Sequence, residues 1–162
     1  MAGINGLTVA FRSQANVRIY KFTVLVKDTA DTTQNQQYAM LPAAANAAGV
    51  LGVLTEHFVE PNYFVPQATN PTTVTGTTPV LYNLAGRGMA LQVNGLARCL
   101  AAGAVNQGDL LVIADAYGRV TNTTGAGLAA GTKTYAVGSA QNSTQNANDV
   151  VEVLLNFSQQ IA

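Results

Sequence analysis

The sequence predicts a mainly β fold: a compact single-domain β-barrel or β-sandwich-like body over residues 17–162, an extended N-terminal arm over 1–16, and a long proline-containing loop. Three observations carry this expectation. Residues 17–26 read Val-Arg-Ile-Tyr-Lys-Phe-Thr-Val-Leu-Val, dense in the β-branched and aromatic side chains that suit a pleated surface. From Val80 onward, short apolar stretches alternate with Gly, Asn and Asp turns at roughly the 8–12-residue spacing of sandwiches and barrels. Few segments repeat their apolar residues at helical spacing.

The elements follow in order. Residues 1–16 are small, polar and Gly-containing, and such termini are ordered only when tied down. Within them, 7–11 alternates as Leu-Thr-Val-Ala-Phe, so the arm either adds a strand to a partner's sheet or forms an edge strand of its own domain. In 17–26, Tyr20, Phe22, Val24 and Val26 fall on one face of a continuous strand. A polar loop over 29–36 precedes a short strand at 38–41, stopped by Pro42. The Ala-rich stretch 43–48, closed by Gly49, predicts one short helical turn, and 50–58 a further strand. Residues 61–79 hold four of the five prolines and are otherwise rich in Thr, Asn and Gln; they read as a long surface excursion, either a contact segment or an exposed loop.

Beyond it, a strand over 80–84 is broken by Gly86-Arg87-Gly88, and Met89, Leu91 and Val93 alternate with Ala90, Gln92 and Asn94. Asn94-Gly95 signals a hairpin into the strand 96–100. Turns at 106–109 and 115–118 flank the apolar run Leu110-Leu111-Val112-Ile113. A Gly/Ala loop over 125–131, a strand around 135–138 and a polar loop over 141–148 lead to a last strand, where Val151, Val153, Leu155 and Phe157 alternate with Glu152 and Asn156.

Composition narrows the functional classes. A chain of 162 residues buries roughly 70% of the surface its unfolded form exposes, and so builds a core without disulfides or metals. Charged residues are only 10%, and eight basic against eight acidic residues give a net charge of zero. No basic patch stands out, so the counterion release that drives nucleic-acid binding is weak, and no nucleic-acid partner is expected. A neutral, amide-rich surface suits packing beside many copies. The one cysteine, Cys99, lies in an apolar run and reads as a small buried hydrophobe. Neither a secretory signal nor an apolar run of membrane-spanning length is apparent.

A search for chemistry yields no catalytic residue, no metal site and no cofactor. The one histidine, His57, follows Glu56, but neighbours on a strand point to opposite faces; a strand-end surface histidine is the preferred reading. A Ser-His-Asp triad would have to use His57, and no Gly-x-Ser-x-Gly elbow is present. Asp109 and Asp115 resemble a carboxylate pair, yet both sit in turns, where Asp caps backbone groups. The glycines of 125–131 lack the Lys-Ser/Thr of a phosphate loop. Aromatics are 7% with no Trp, and Tyr63-Phe64 in the proline-rich segment is the exposed-aromatic candidate, assigned to a protein contact.

The second half carries a resemblance. Asn106-Gln107-Gly108-Asp109-Leu110-Leu111-Val112-Ile113-Ala114-Asp115-Ala116-Tyr117-Gly118-Arg119-Val120 resembles the Gly-Asp, apolar strand, Asp-x-x-Gly-Arg-Val segment of tailed-phage capsid decoration (cement) proteins. Tyr135-Ala136-Val137-Gly138-Ser139-Ala140 and Asp149-Val150-Val151-Glu152-Val153-Leu154-Leu155 resemble that family's later strands, and Gly49-Val50-Leu51-Gly52-Val53-Leu54-Thr55 an earlier one. The likeness spans roughly 84–157 well and the first half loosely; the insertion 61–79 departs from it.

The resemblance implies a β-tulip-type domain on the outer capsid surface of the virion, a homotrimer bridging capsomers of the major capsid protein and stabilising the shell. Leu7, Val9 and Phe11 are then expected as arm contacts through strand addition, with Tyr63 and Phe64 as further capsid-interface residues. Other readings are a head-fibre base, a tail-associated protein, or a carbohydrate-binding β-sandwich module. An enzyme is not expected.

Overall fold

The computed structural model describes residues 6–28, 38–60 and 83–161. All regular elements among them are strands: β1 (Thr8–Ser13), β2 (Val24–Lys27), β3 (Tyr38–Met40), β4 (Val50–Leu54), β5 (Gly88–Gln92), β6 (Leu96–Leu100), β7 (Leu110–Ile113), β8 (Val120–Asn122), β9 (Lys133–Ala140) and β10 (Val150–Ile161). The first five close into a barrel in the order β1-β3-β2-β4-β5, and the last five form an open sheet in the order β6-β10-β9-β7-β8. The mainly β expectation holds, with barrel and sheet both present.

Two apolar clusters explain why these strands sit where they do. Inside the barrel, Phe11, Ile19, Leu25, Leu54, Phe58 and Leu91 pack together. Between the barrel and the sheet, Val24, Val26 and Val53 meet Cys99, Leu111, Ile113, Val120, Val151 and Val153. Strand β2 serves both: Leu25 points into the barrel while Val24 and Val26 point at the sheet. A strand covered on both faces reads as an unbroken apolar run, as residues 24–26 do. In β4, the register with β2 slips (Val24↔Val53, Leu25↔Gly52, Val26↔Val50), so Leu51 is an extra, bulged residue. The bulge lets Val50 and Val53 both face the sheet while Leu51 and Leu54 pack with the barrel interior.

The sheet is docked on the barrel by a turn. Asp115 Oδ1 accepts the backbone N–H of Tyr117 at 3.0 Å, and Asp115 Oδ2 accepts Arg119 Nε at 2.7 Å and pairs with its Nη2 at 2.6 Å. The Arg119 Nη1 also donates to Asn148 Oδ1 at 3.2 Å. The turn ends at Gly118, whose carbonyl accepts the Val24 N–H of β2 at 2.9 Å. Gly118 has φ +71°, and a Cβ there would lie 2.4 Å from the Val24 carbonyl oxygen; only glycine permits this approach.

Four expectations need correction. The segment 1–16 is not a free arm from Thr8 onward: β1 pairs antiparallel with β5 and parallel with β3, and it completes the barrel. Its alternation is that of a barrel strand whose inward side chains, such as Phe11, are covered by its own domain. Residues 17–26 are not one strand. Ile19 bridges Phe58, the chain turns at Lys21-Phe22 with Phe22 at φ 71°, and β2 begins only at Val24. The turn ties three elements together, because Phe22 N donates to Leu54 O at 2.7 Å and Phe22 O accepts Leu100 N at 3.2 Å.

The predicted helix at 43–48 is a series of bends and turns instead. Asn46, at φ 53°, uses its side-chain amide as a strand would: Oδ1 accepts Tyr135 N at 2.9 Å and Nδ2 donates to Lys133 O at 2.8 Å. Finally, Asn94-Gly95 turns the chain, with Gly95 at φ 78°, but makes no hairpin. β5 stays in the barrel and β6 crosses to the sheet, where β10 takes its edge. Local turn chemistry sets a reversal of direction; it does not choose the hydrogen-bonding partner. Of the strand expected over 80–84, residues 80–82 lie outside the described residues, and Leu84 is buried in the barrel cluster without joining a strand.

Candidate interaction surface

The outer face of the open sheet follows from strand alternation. On β6 and β10, Ala97, Cys99, Val151 and Val153 face the barrel. The alternate residues face away, and the register sets them in three cross-strand rows: Leu96 beside Leu154, Arg98 beside Glu152, and Leu100 beside Val150. The first row continues through Ser139 of β9 to Leu110 of β7. Leu154 is 45% exposed and Val150 40%, the two largest apolar exposures on this face. Arg98 is exposed and Glu152 half-buried, and among the described residues neither side chain is in an ion pair. The result is an apolar field crossed by one positive and one negative charge.

At the β6 edge this face runs into a cleft of about 220 Å³ between sheet and barrel, lined by Phe22, Val53, Thr55, Gln92, Leu96 and Arg98. Lys21 Nζ stands 5.2 Å from the centre of the Phe22 ring. A second cleft of about 210 Å³ lies near the Asn46 cap, with Tyr135 and Phe157 among its walls.

The expected arm contacts Leu7, Val9 and Phe11 differ in exposure. Leu7 is 57% exposed, its N–H held by Asn94 Oδ1 at 2.6 Å. Val9 is half-buried against the barrel cluster, and Phe11 is 6% exposed within it. Phe11 therefore reaches a partner only by leaving the core, whereas Leu7 is available as the chain stands. Tyr63 and Phe64 lie outside the described residues. The signal for the outer sheet face was present in the sequence as Leu96, Arg98, Leu100, Val150, Glu152 and Leu154, but the pairing of β6 with β10 was needed to assemble it.

The residues weighed for chemistry have structural partners. Asp109 Oδ2 accepts Asn106 N at 3.0 Å and Asn122 Nδ2 at 2.9 Å, and Asp115 caps its own turn, so both carboxylates serve local backbone and side-chain groups. Among the described residues no group of three or more His, Cys, Asp or Glu side chains is placed to hold a metal ion, and no helix is long and apolar enough to cross a membrane.

His57 packs edge-on to Tyr20, with ring centres 5.6 Å apart, and its Nδ1 accepts Lys21 N at 3.2 Å. Partial burial, then the nearby Lys21 charge, lower its pKa below the ordinary histidine value of 6.5, against a smaller opposing effect of Glu56. A base whose folded pKa is depressed favours folding in its neutral form. Its contribution is full above 6.5 and falls away as pH drops through 6.5 toward the folded pKa. An NMR pH titration is expected to place the His57 midpoint below 6.5 with the proton on Nε2; a midpoint above 6.5 contradicts the packing described.

Cys99 is fully buried in the core between barrel and sheet, as expected from its apolar run, and burial pushes its thiol pKa up to about 12. The thiolate is the reactive species. The native protein is therefore expected to resist Ellman's reagent at pH 8 and to react stoichiometrically once unfolded in urea; rapid native labelling would show that the core opens.

No protein-family model matches the chain, and no curated protein matches it in sequence. Among solved structures, the chain is similar to the head fibre gp8.5 N base of bacteriophage phi29, with a TM-score of 0.52 at 12% identity. The superposition covers 98% of this chain and 100% of that one. At this identity the two share a fold.

Proposed function

We propose that the chain is a structural protein of a tailed-phage virion, carried on the outer surface of the head, and that it works by binding and not by catalysis. The observation that supports it best is the likeness to a phage head fibre base, which spans 98% of this chain and 100% of that one. The cement-protein resemblance over roughly 84–157 points to the same part of the virion. In this reading the protein spans neighbouring copies of the major capsid protein. A ligand that binds only the assembled shell raises its apparent stability by mass action. The second reading, the base of a head fibre, is favoured by the same likeness, since the neighbouring structure is such a base.

The test mixes purified protein with undecorated, expanded heads of the parent phage, pellets them, and images the decorated particles by electron microscopy. Saturable binding at many equivalent seams, with heads then more heat-resistant, is expected for a capsomer-bridging protein. Density continuing outward as a fibre from each site assigns the fibre base. Failure to bind any head form overturns both.

A further inference from the structure

The six side chains on the outer face of β6 and β10 are patterned in both directions: apolar, charged and apolar along the strands, and positive beside negative across them. We propose that this face binds a second copy of the chain, stacked face to face about a two-fold axis running parallel to the strands. That rotation lays β6 of one copy over β10 of the other. Leu96 then meets the second copy's Leu154, Leu100 meets its Val150, and Arg98 meets its Glu152, twice over by symmetry. A two-fold axis across the strands would instead set Arg98 against Arg98 and Glu152 against Glu152, so the charges select the first arrangement. The same rotation carries the second copy's Ser139 and Leu110 beyond the β6 edge, over the cleft beside Phe22.

Three observations favour a second copy over an unrelated partner. Arg98 and Glu152 are adjacent and among the described residues form no ion pair, so each is open to a partner of opposite sign. The face is electrically self-complementary row by row. The whole chain is neutral, so it offers no field that would recruit a strongly charged protein.

Aligned sheets pack about 10 Å apart, a gap that side chains from both faces fill. In this arrangement only β6 and β10 of each copy overlap, and two strands at ~4.8 Å by five residues at ~3.3 Å give a patch of about 10 by 17 Å. That is a small interface, in the range of weak, concentration-dependent association. It becomes significant where copies are held close together, because a tethered neighbour acts at high effective concentration. The proposal does not depend on attachment to a head.

Sedimentation equilibrium on the full chain tests it. Wild type is expected to show a monomer–dimer equilibrium. R98E and E152R, each checked for an unchanged circular dichroism spectrum and melting curve, are expected to dimerise at least about tenfold more weakly. An equimolar mixture of the two restores dimers, because the charged row of one variant is then wholly acidic and faces the wholly basic row of the other. Leu154→Asp, at an exposed position, is expected to weaken association similarly. The proposal is overturned by a wild type that stays monomeric to ~1 mM, by dimers indifferent to the charge swaps, by a mixture that fails to restore them, or by a trimer.

Discussion

Replacing Gly138 with alanine is expected to cost about 3 kcal/mol, the upper part of the range for overpacking a filled interior. Gly138 lies in β9 opposite Leu155 of β10 and Leu111 of β7. A Cβ there would lie 2.1 Å from the Leu154 carbonyl oxygen and 2.9 Å from Val153 Cγ1. The nearest atom is backbone of the neighbouring strand β10, so no side-chain rotation relieves the contact. The register slips on both sides of this residue, between Leu155 and Ser158 toward β10 and between Leu111 and Val112 toward β7. Glycine permits the close approach at which the two irregularities meet. Urea denaturation of the G138A variant should show the loss, with a melting temperature lower by roughly 6–12 °C for a chain of this size. A change below about 0.5 kcal/mol, the range of ordinary surface substitutions, would mean that β9 and β10 do not pack as described.

Truncating Arg18 or Glu60 is expected to be at least as damaging. Arg18 Nε donates to Glu60 Oε2 at 2.7 Å and Nη2 to Oε1 at 2.6 Å, a two-pronged pair with side chains only 7% and 8% exposed. Removing one partner of such a pair strips a buried charge of its two-pronged counter-ion and costs about 3–5 kcal/mol. Arg18→Met together with Glu60→Leu removes both charges and should recover most of that loss, since paired ions are often replaceable by apolar groups of similar volume. Denaturation of the two single variants and the double variant forms a cycle whose coupling term measures the pair. Single variants as stable as the wild type would show that water reaches the site.

This ion pair shows where sequence reading runs out. Arg18 sits in an apolar run and Glu60 lies 42 residues later, and nothing local links them. The adjacent Ile19–Phe58 bridge brings them together. Elements whose burial is set within one segment were legible: β7, the alternation of β10, the buried Cys99, and the turn roles of Asp109 and Asp115. Features that depend on which strands pair were not. The 7–11 alternation is the same for an arm seeking a foreign sheet and for a barrel strand, and only the β5 edge decides between them. Asn94-Gly95 looks like a hairpin because its backbone conformation is that of a tight turn, although the strands part afterwards. The Ala-rich 43–48 stretch has helix-forming composition, but Asn46 is held at positive φ by its bonds to β9. The outer sheet face was hidden for the same reason: its six residues come from two segments far apart in the chain, Leu96–Leu100 and Val150–Leu154.

Strand β2 belongs to two cores at once, through Leu25 on one side and Val24 and Val26 on the other. The barrel and the sheet therefore cannot melt independently, because either would have to release a strand that the other needs. Calorimetry is expected to record a single transition whose van't Hoff and calorimetric enthalpies agree. Native-state hydrogen exchange should find the amides of β2 among the slowest, opening only with the whole molecule. A chain assembled from an edgeless barrel and an open sheet then behaves as one cooperative unit, and a pull on the sheet's outer face is resisted by the barrel behind it.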